Sequence, residues 1–397
     1  MRLLLQIIIP LSMCLCACSI RQVQKLVDSE VLQGSQLLSI EDSTVWQRTH
    51  LLTNDNPADW INTNLHYASA LSELDKMLKG ERKTSFKEAV FTTENAYFNN
   101  EIESSVYNEI IDDLVGIIEA WMKTNVLTDY PYSDSLHFAK NGAIFKFMTD
   151  TVFYLEGTPL HLPFEYDFDD FFGNQDWTKM FVSKLIATGE GNCHSMPYLY
   201  KILAEELGTK AYLSYAPNHV YIKQRCKMAG WYNTELTSKV FPVDAWVMTS
   251  GYVSKETIMS EIYMDTLSDK QSLAACVIDL AHGYKHKQRI DYQNFVLQCT
   301  ELALEYYPNY AAALLLKAET LKEIFEIKRN EMGVEYPSEI FHLEEPKAWF
   351  EEMEKTYGEL VKLGYREVPK DTYLQWLSEL ANNIDKYENK KITNFSK

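Results

Sequence analysis

Apolar residues recur three and four positions apart in "WINTNLHYASALSELDKML", from Trp60, and in "SVYNEIIDDLVGIIEAWM", from Ser105. That spacing predicts amphipathic helices and a mainly helical region over 48–149. Aromatics and acids break the rhythm at "PFEYDFDDFFGNQDW", from Pro163. Helical spacing resumes after Cys193, at Met196, Leu199, Tyr200, Leu203 and Leu207. Pro197 falls in the first turn of that helix, where its missing N–H costs nothing. Gly208 stands where a helix ends. The period then changes. "KAYLSYA", "HVYIKQ", "WYNTELT" and "VFPVDAW" are aromatic and β-branched with polar interruptions, the composition of strands. One helix followed by a small antiparallel meander makes 150–257 an α+β core. From Ile258 helical periodicity returns, predicting a helical region over 258–397.

The first residues, "MRLLLQIIIPLSMCLCACSIRQ", place Arg2 before an apolar run from Leu3 to Leu15. The run is shorter than the roughly 20 residues a bilayer span needs, so it reads as an export signal. No second apolar run of spanning length follows. Ser19 to about Gln47 is polar and weakly patterned and suits a tether. The end of the run, Leu15, Cys16, Ala17, Cys18, resembles a bacterial lipobox. That resemblance implies cleavage before Cys18 and lipidation of Cys18, with a signal over 1–17, a tether over 18–47 and a membrane-anchored place in a bacterial cell envelope. Ser19 leans toward the outer membrane by resemblance to sorting in other lipoproteins. A plain signal peptide or an uncleaved anchor is the alternative. Near the other end, "LALEYYPNYAAALLLKAETL" has a tetratricopeptide-like rhythm. Ala303 and Pro308 close one helix, and Leu314, Ala318 and Leu321 fit the next. Such helices offer a surface for a protein partner.

Composition narrows the functions. With 397 residues, 46% of them hydrophobic, and with 25 tyrosines and 8 tryptophans, the chain has enough material for a large folded body. A formal charge of -18 argues against nucleic acid and anionic lipid surfaces, which need Lys and Arg. Three of the seven cysteines belong to the export signal. The others, Cys193, Cys226, Cys276 and Cys299, have no zinc-like spacing. Disulfides among Cys226, Cys276 and Cys299 stay open, although Cys276 and Cys299 sit in apolar helical patterns that suit separate buried thiols. Asp167, Asp169 and Asp170 fail the EF-hand template, because Phe171 and Phe172 stand where an oxygen ligand and a glycine are needed. Neither a metal nor a cofactor is expected.

The chemistry centres on "GEGNCHSMPYLYKILAEELG", 189–208. At a helix N-terminus, unpaired N–H groups and the positive dipole end favour thiolate over thiol and can hold an oxyanion. Gly189 and Gly191 allow close approach of backbone or substrate. A thiolate nucleophile needs a base and a group that orients it. His194 is adjacent and points elsewhere on the helix. His219 opens the strand "HVYIK" and is the candidate base; Asn218 beside it suits a turn. Two acids compete. A hairpin around "RCKMAG" centred on residue 227 sets Glu235 directly across from His219. Asp244, across a second turn between Lys239 and Val240, lies one strand further out, and a register slip of one residue would turn Glu235 to the other face.

"GNC" at a helix start, then "NHVYI", then "WYNTELT", resembles the transglutaminase-like superfamily over roughly Asp150 to Tyr252. The resemblance implies a papain-like core with Cys193 as nucleophile and His219 as base. Glu235 stands where that family usually has Asp, in a strand carrying Trp231 and Thr237. The expected activity is attack on a peptide or amide carbonyl, with hydrolysis preferred over transfer to an amine. The alternative is a catalytically silent module that holds a peptide or protein partner. Trp231 and Trp246 are read as core in preference to substrate-stacking residues.

Overall fold

The computed structural model describes residues 57–153, 159–288 and 291–393, with side chains from residue 64 onward. The export signal, Cys18 and the tether expected over 18–47 lie outside the described residues. Among the described residues four helices come first: α1 (Pro57–Lys79), α2 (Phe86–Tyr97), α3 (Ser104–Thr124) and α4 (Ser135–Thr149). Ser85 opens α2 by accepting a hydrogen bond from the Glu88 N–H, as serine does at a helix start. The predicted helical periodicity of "SVYNEIIDDLVGIIEAWM" is realised in α3, whose Tyr107, Ile110, Ile111, Leu114 and Ile118 are buried.

The middle of the chain is mixed, as an α+β class requires. Short strands β1 (Val152–Phe153) and β2 (Pro159–His161) pair antiparallel, and β3 (Glu165–Tyr166) pairs in parallel with β4 (Glu190–Gly191). Helix α5 (Val182–Thr188) lies between β3 and β4, and α6 (Ser195–Glu206) follows β4. An antiparallel meander completes the region: β5 (Tyr212–Ala216), β6 (His219–Cys226) and β7 (Gly230–Thr234), in that order. Every residue of α6 from Ser195 to Ala204 is buried. It packs against α2, α4, α5 and the meander, so the helix after Cys193 runs through the centre of the molecule.

The segment "VFPVDAW" is not the strand its composition predicts. Val240 makes a single antiparallel bridge with Glu235, and Asp244 opens a short helix, α7 (Asp244–Met248). Pro242 has no N–H to give a neighbouring strand. The backbone there pairs instead with the end of the chain: the Val243 N–H donates to the Tyr387 carbonyl, and the Asn389 N–H donates to the Phe241 carbonyl.

Helices α8 (Lys255–Met259), α9 (Asp269–Lys287), α10 (Gln293–Tyr306), α11 (Ala311–Glu331), α12 (Glu344–Lys362) and α13 (Lys370–Asn382) follow. Pro308 lies in the turn between α10 and α11, and Ala303, Leu314, Ala318 and Leu321 are buried. One apolar core runs from Leu74 of α1 through Ile111 of α3, Leu203 of α6 and Leu213 of β5 to Val277 of α9 and Val296 of α10. Packing is thus continuous across residues 149/150 and 257/258. A second, smaller cluster joins Phe171, Cys193, Ala216, Tyr221 and Trp246 to Tyr373, Trp376 and Leu380 of α13. Cys226, Cys276 and Cys299, whose pairing the sequence leaves open, are buried and free, as is Cys193. No helix among the described residues is long and apolar enough to cross a membrane.

Gly191 is fixed by packing. A Cβ there would stand 2.7 Å from both Leu185 Cδ1 and Ser195 Oγ. Gly191→Ala is expected to destabilise the fold by about 1–3 kcal/mol, the usual penalty for overfilling a packed interior. Urea unfolding of the variant against wild type measures it.

Candidate functional site

The thiol is set by a turn. Asn192 Oδ1 accepts from the N–H groups of His194 at 2.9 Å and Ser195 at 3.0 Å, which closes the entry to α6. Asn192 Nδ2 donates to the Phe171 carbonyl at 3.1 Å. Cys193 therefore sits in the turn two residues ahead of the first helical residue, just outside the cap at His194, and not in the helix itself. The N–H groups of His194 and Ser195 and that of Met196, bonded to the Asn192 carbonyl, are already used. The N–H of Cys193 makes no hydrogen bond among the described residues. The two glycines serve the protein's own shape: Gly189 takes a left-handed φ of 77°, and Gly191 leaves room for Leu185 and Ser195. His194 faces away from the thiol, with Nδ1 on the Met180 carbonyl at 2.9 Å and Nε2 on Asp279 of α9 at 3.1 Å.

The imidazole is set by a tight hairpin. Ala216 pairs with His219, leaving Pro217 and Asn218 as the turn. Asn218 takes φ of 55°, a conformation asparagine tolerates. Its Nδ2 also donates to the Val368 carbonyl at 2.9 Å, just before α13. His219 is thereby the first residue of β6.

The acid follows from register. Cys226 pairs with Gly230 and Ile222 with Thr234. The hairpin is centred on residue 228, one beyond the expected 227, so every partner moves by two positions. A two-residue shift keeps the face, since side chains alternate with period two. Glu235, just past β7, still reaches His219 diagonally: Nε2 of His219 and Oε2 of Glu235 are 2.6 Å apart. The other carboxylate oxygen accepts from the Thr237 N–H at 2.8 Å. Asp244 is elsewhere. Its side chain is 60% exposed and accepts from Asn233 Nδ2 at 2.9 Å. The second turn is not centred between Lys239 and Val240 but between Thr237 and Ser238, because Glu235 bridges directly to Val240.

A fourth residue joins the three. The Tyr373 hydroxyl of α13 donates to Cys193 Sγ at 3.3 Å and lies 3.1 Å from His219 Nδ1. Cys193 is 6% exposed, His219 3% and Tyr373 0%. Trp246 and Trp376 stack at 4.5 Å between ring centroids, and both stand perpendicular to the imidazole, at 6.0 and 5.5 Å. Trp246 is thus core, and Trp231 lies on the surface beside Arg225. The Tyr166 hydroxyl, packed against the same cluster, is buried close to the Cys193 thiol and the Tyr373 hydroxyl. Nothing local in the sequence marks Tyr373. It lies 180 residues from Cys193 and reads as the apolar stripe of an ordinary amphipathic helix.

The charges reinforce one another. Burial alone would push the His219 imidazole down. The negative charge of Glu235 and the hydrogen bonds of Cys193 and Glu235 outweigh it and raise the pKa to about 10. Burial would likewise push the Cys193 thiol up, but the His219 hydrogen bond and charge, and then the Tyr373 hydroxyl, hold it below its ordinary value of 9.0. Burial pushes the thiols of Cys276 and Cys299 well up. Both shifts favour a thiolate facing an imidazolium over the neutral pair.

A cavity of about 260 Å³ reaches Cys193 and His219. Phe171, Phe172, Tyr215 and Ile278 form part of its wall, and Asp279 and His282 also face it. A larger cavity of about 750 Å³ lies near Trp121, Lys146 and Tyr232 and touches none of the three residues. The acids of the preceding loop have structural work: Asp170 accepts from three backbone N–H groups, and Asp167 pairs with Lys184 at 2.9 Å. No family model, curated protein or solved structure matches the chain.

Removal of the Glu235 charge by Glu235→Gln is expected to lower the His219 pKa from about 10, whereas Asp244→Asn leaves it in place; NMR titration of the ring reads both. The sign for stability follows. The folded pKa lies above the ordinary 6.5, so the contribution of His219 to stability is fully present below about 6.5 and is lost as pH rises toward 10. Glu235→Gln should flatten that alkaline decline in urea unfolding.

Proposed function

We propose that the chain is a thiol acyl-transfer enzyme with a papain-like, transglutaminase-like core, anchored in a bacterial envelope through Cys18. The observation that carries this reading is the 2.6 Å contact between His219 and Glu235, with the thiol on the side of the opposite ring nitrogen. Sulfur attacks a peptide or amide carbonyl, forming the S–C bond. The oxyanion takes the Cys193 N–H and the Tyr166 hydroxyl, which lies close to the thiol. His219 gives its proton to the leaving amine as the C–N bond breaks. Water then attacks the thioester, His219 takes a proton from it, and the carboxylic acid leaves with the thiolate restored. Glu235 holds the ring orientation and the imidazolium charge throughout. Hydrolysis is preferred to transfer onto an amine because water is freely available in an envelope compartment. The helical tail is the surface for a protein partner.

One observation favours a second reading, a silent module that holds a peptide: the thiol and imidazole are almost covered and a tyrosine hydroxyl already rests on the sulfur. Labelling separates the two. At neutral pH a peptide-like thiol-reactive probe should modify Cys193 at least about tenfold faster than Cys226, Cys276 or Cys299, because each unit of pKa difference is tenfold in thiolate. The Cys193→Ala protein should lose that labelling. A wild-type protein in which Cys193 is the slowest of the four supports the silent module. For the anchor, Cys18→Ala should abolish lipid attachment; normal membrane fractionation and unchanged mobility of that variant rule the anchor out.

A further inference from the structure

We infer that Tyr373 is a positioning residue of this site, its hydroxyl bridging the Cys193 sulfur and His219 Nδ1 so that α13 completes a machinery otherwise built from residues 166–237. The inference rests on the thiol-enzyme reading above. A hydroxyl carries one proton and two lone pairs. With the thiolate and imidazolium present, His219 Nδ1–H donates to the tyrosine oxygen and the tyrosine O–H donates to sulfur, and every group is satisfied. With the neutral thiol and imidazole, the network runs the other way. The S–H proton passes to the tyrosine oxygen as the tyrosine proton passes to Nδ1; one S–H bond breaks, one N–H bond forms, and the tyrosine is unchanged. Hydrogen bonds to ionised partners are the stronger ones, so the bridge favours the charged pair.

The fold commits several contacts to holding this hydroxyl in place. Trp376, one turn along α13, stacks on Trp246 and donates Nε1–H to its carbonyl at 3.1 Å. Leu377 and Leu380 are buried beneath the helix. Phe171 stacks on the Tyr373 ring at 5.6 Å, and Asn218, adjacent to the imidazole, holds the Val368 carbonyl. The groups that titrate near the sulfur are His219 of β6, Glu235 after β7, Tyr166 of β3, Tyr373 of α13 and the neighbouring His194, itself paired with Asp279 of α9. Of these, the Tyr373 hydroxyl alone lies within hydrogen-bond distance of both members of the pair.

The test is the pH dependence of Cys193 alkylation by iodoacetamide, followed by peptide mass spectrometry, in the full chain. Tyr373→Phe keeps the ring and removes the hydroxyl; Tyr373→Leu serves the same purpose if the first variant does not fold. Leu380→Ala loosens α13 and leaves the hydroxyl. The expected result is a rise of roughly one pH unit or more in the alkylation midpoint for the Tyr373 variant, about tenfold less thiolate at a given pH, with no comparable rise for Leu380→Ala. An unchanged or lower midpoint without the hydroxyl overturns the inference, and so does an equal rise in both variants, which would make it an effect of packing. A wild-type protein whose Cys193 does not alkylate ahead of the other cysteines removes the parent reading itself, so the two failures are distinguishable.

Discussion

A carboxylate and an imidazole, both almost fully buried and 2.6 Å apart, are the constraint on which the rest of this site depends. Neither group tolerates burial as an isolated charge, because removal from water is expensive unless a partner and hydrogen bonds compensate. Glu235 has both: the His219 ring on one oxygen and the Thr237 N–H on the other. His219 in turn has a carboxylate at one nitrogen and the Tyr373 hydroxyl at the other. The thiol inherits the result. An imidazolium beside it shifts the thiol toward thiolate even in an apolar cluster, where a lone cysteine such as Cys299 is driven the other way.

The surroundings tighten that electrostatic arrangement. Two stacked indoles stand edge-on to the imidazole, and α13 lies over the cluster. Low dielectric strengthens each of these hydrogen bonds and raises the penalty for leaving any of them unmade. The cavity that reaches Cys193 and His219 is bounded by residues of α9, α11 and the loop before α5 as well as the meander. Helical regions far away in sequence therefore shape the space around the thiol, consistent with the apolar core that binds α1, α3, α9 and α10 to α6.

Much of the arrangement was legible in local pattern. The apolar spacing after Cys193, Pro197 in the first turn and Gly208 at φ of 65° define α6. Strand composition located β5, β6 and β7. Glu235, and not Asp244, contacts His219 despite a hairpin centre displaced from the expected one, because the displacement of partners is two residues and alternation with period two preserves the face. A one-residue error would have turned the carboxylate away. The failures share a cause. "VFPVDAW" has strand composition, but Pro242 prevents ladder pairing and the backbone finds residues 387–389 instead. Cys193 sits in a turn ahead of the helix because Asn192 caps the entry. Tyr373 and the continuity of the core are products of long-range packing, and no spacing rule connects a tyrosine in α13 with a cysteine 180 residues earlier.

The central claim is that Cys193 rests as a thiolate beside an imidazolium. The ultraviolet absorbance of thiolate, taken as the difference between wild type and Cys193→Ala across a pH series, addresses it without any substrate. The account predicts a difference signal already present at neutral pH, well below the ordinary thiol value of 9.0, which disappears only as acid protonates the sulfur. A signal absent at neutral pH that grows in near or above 9.0 would contradict it.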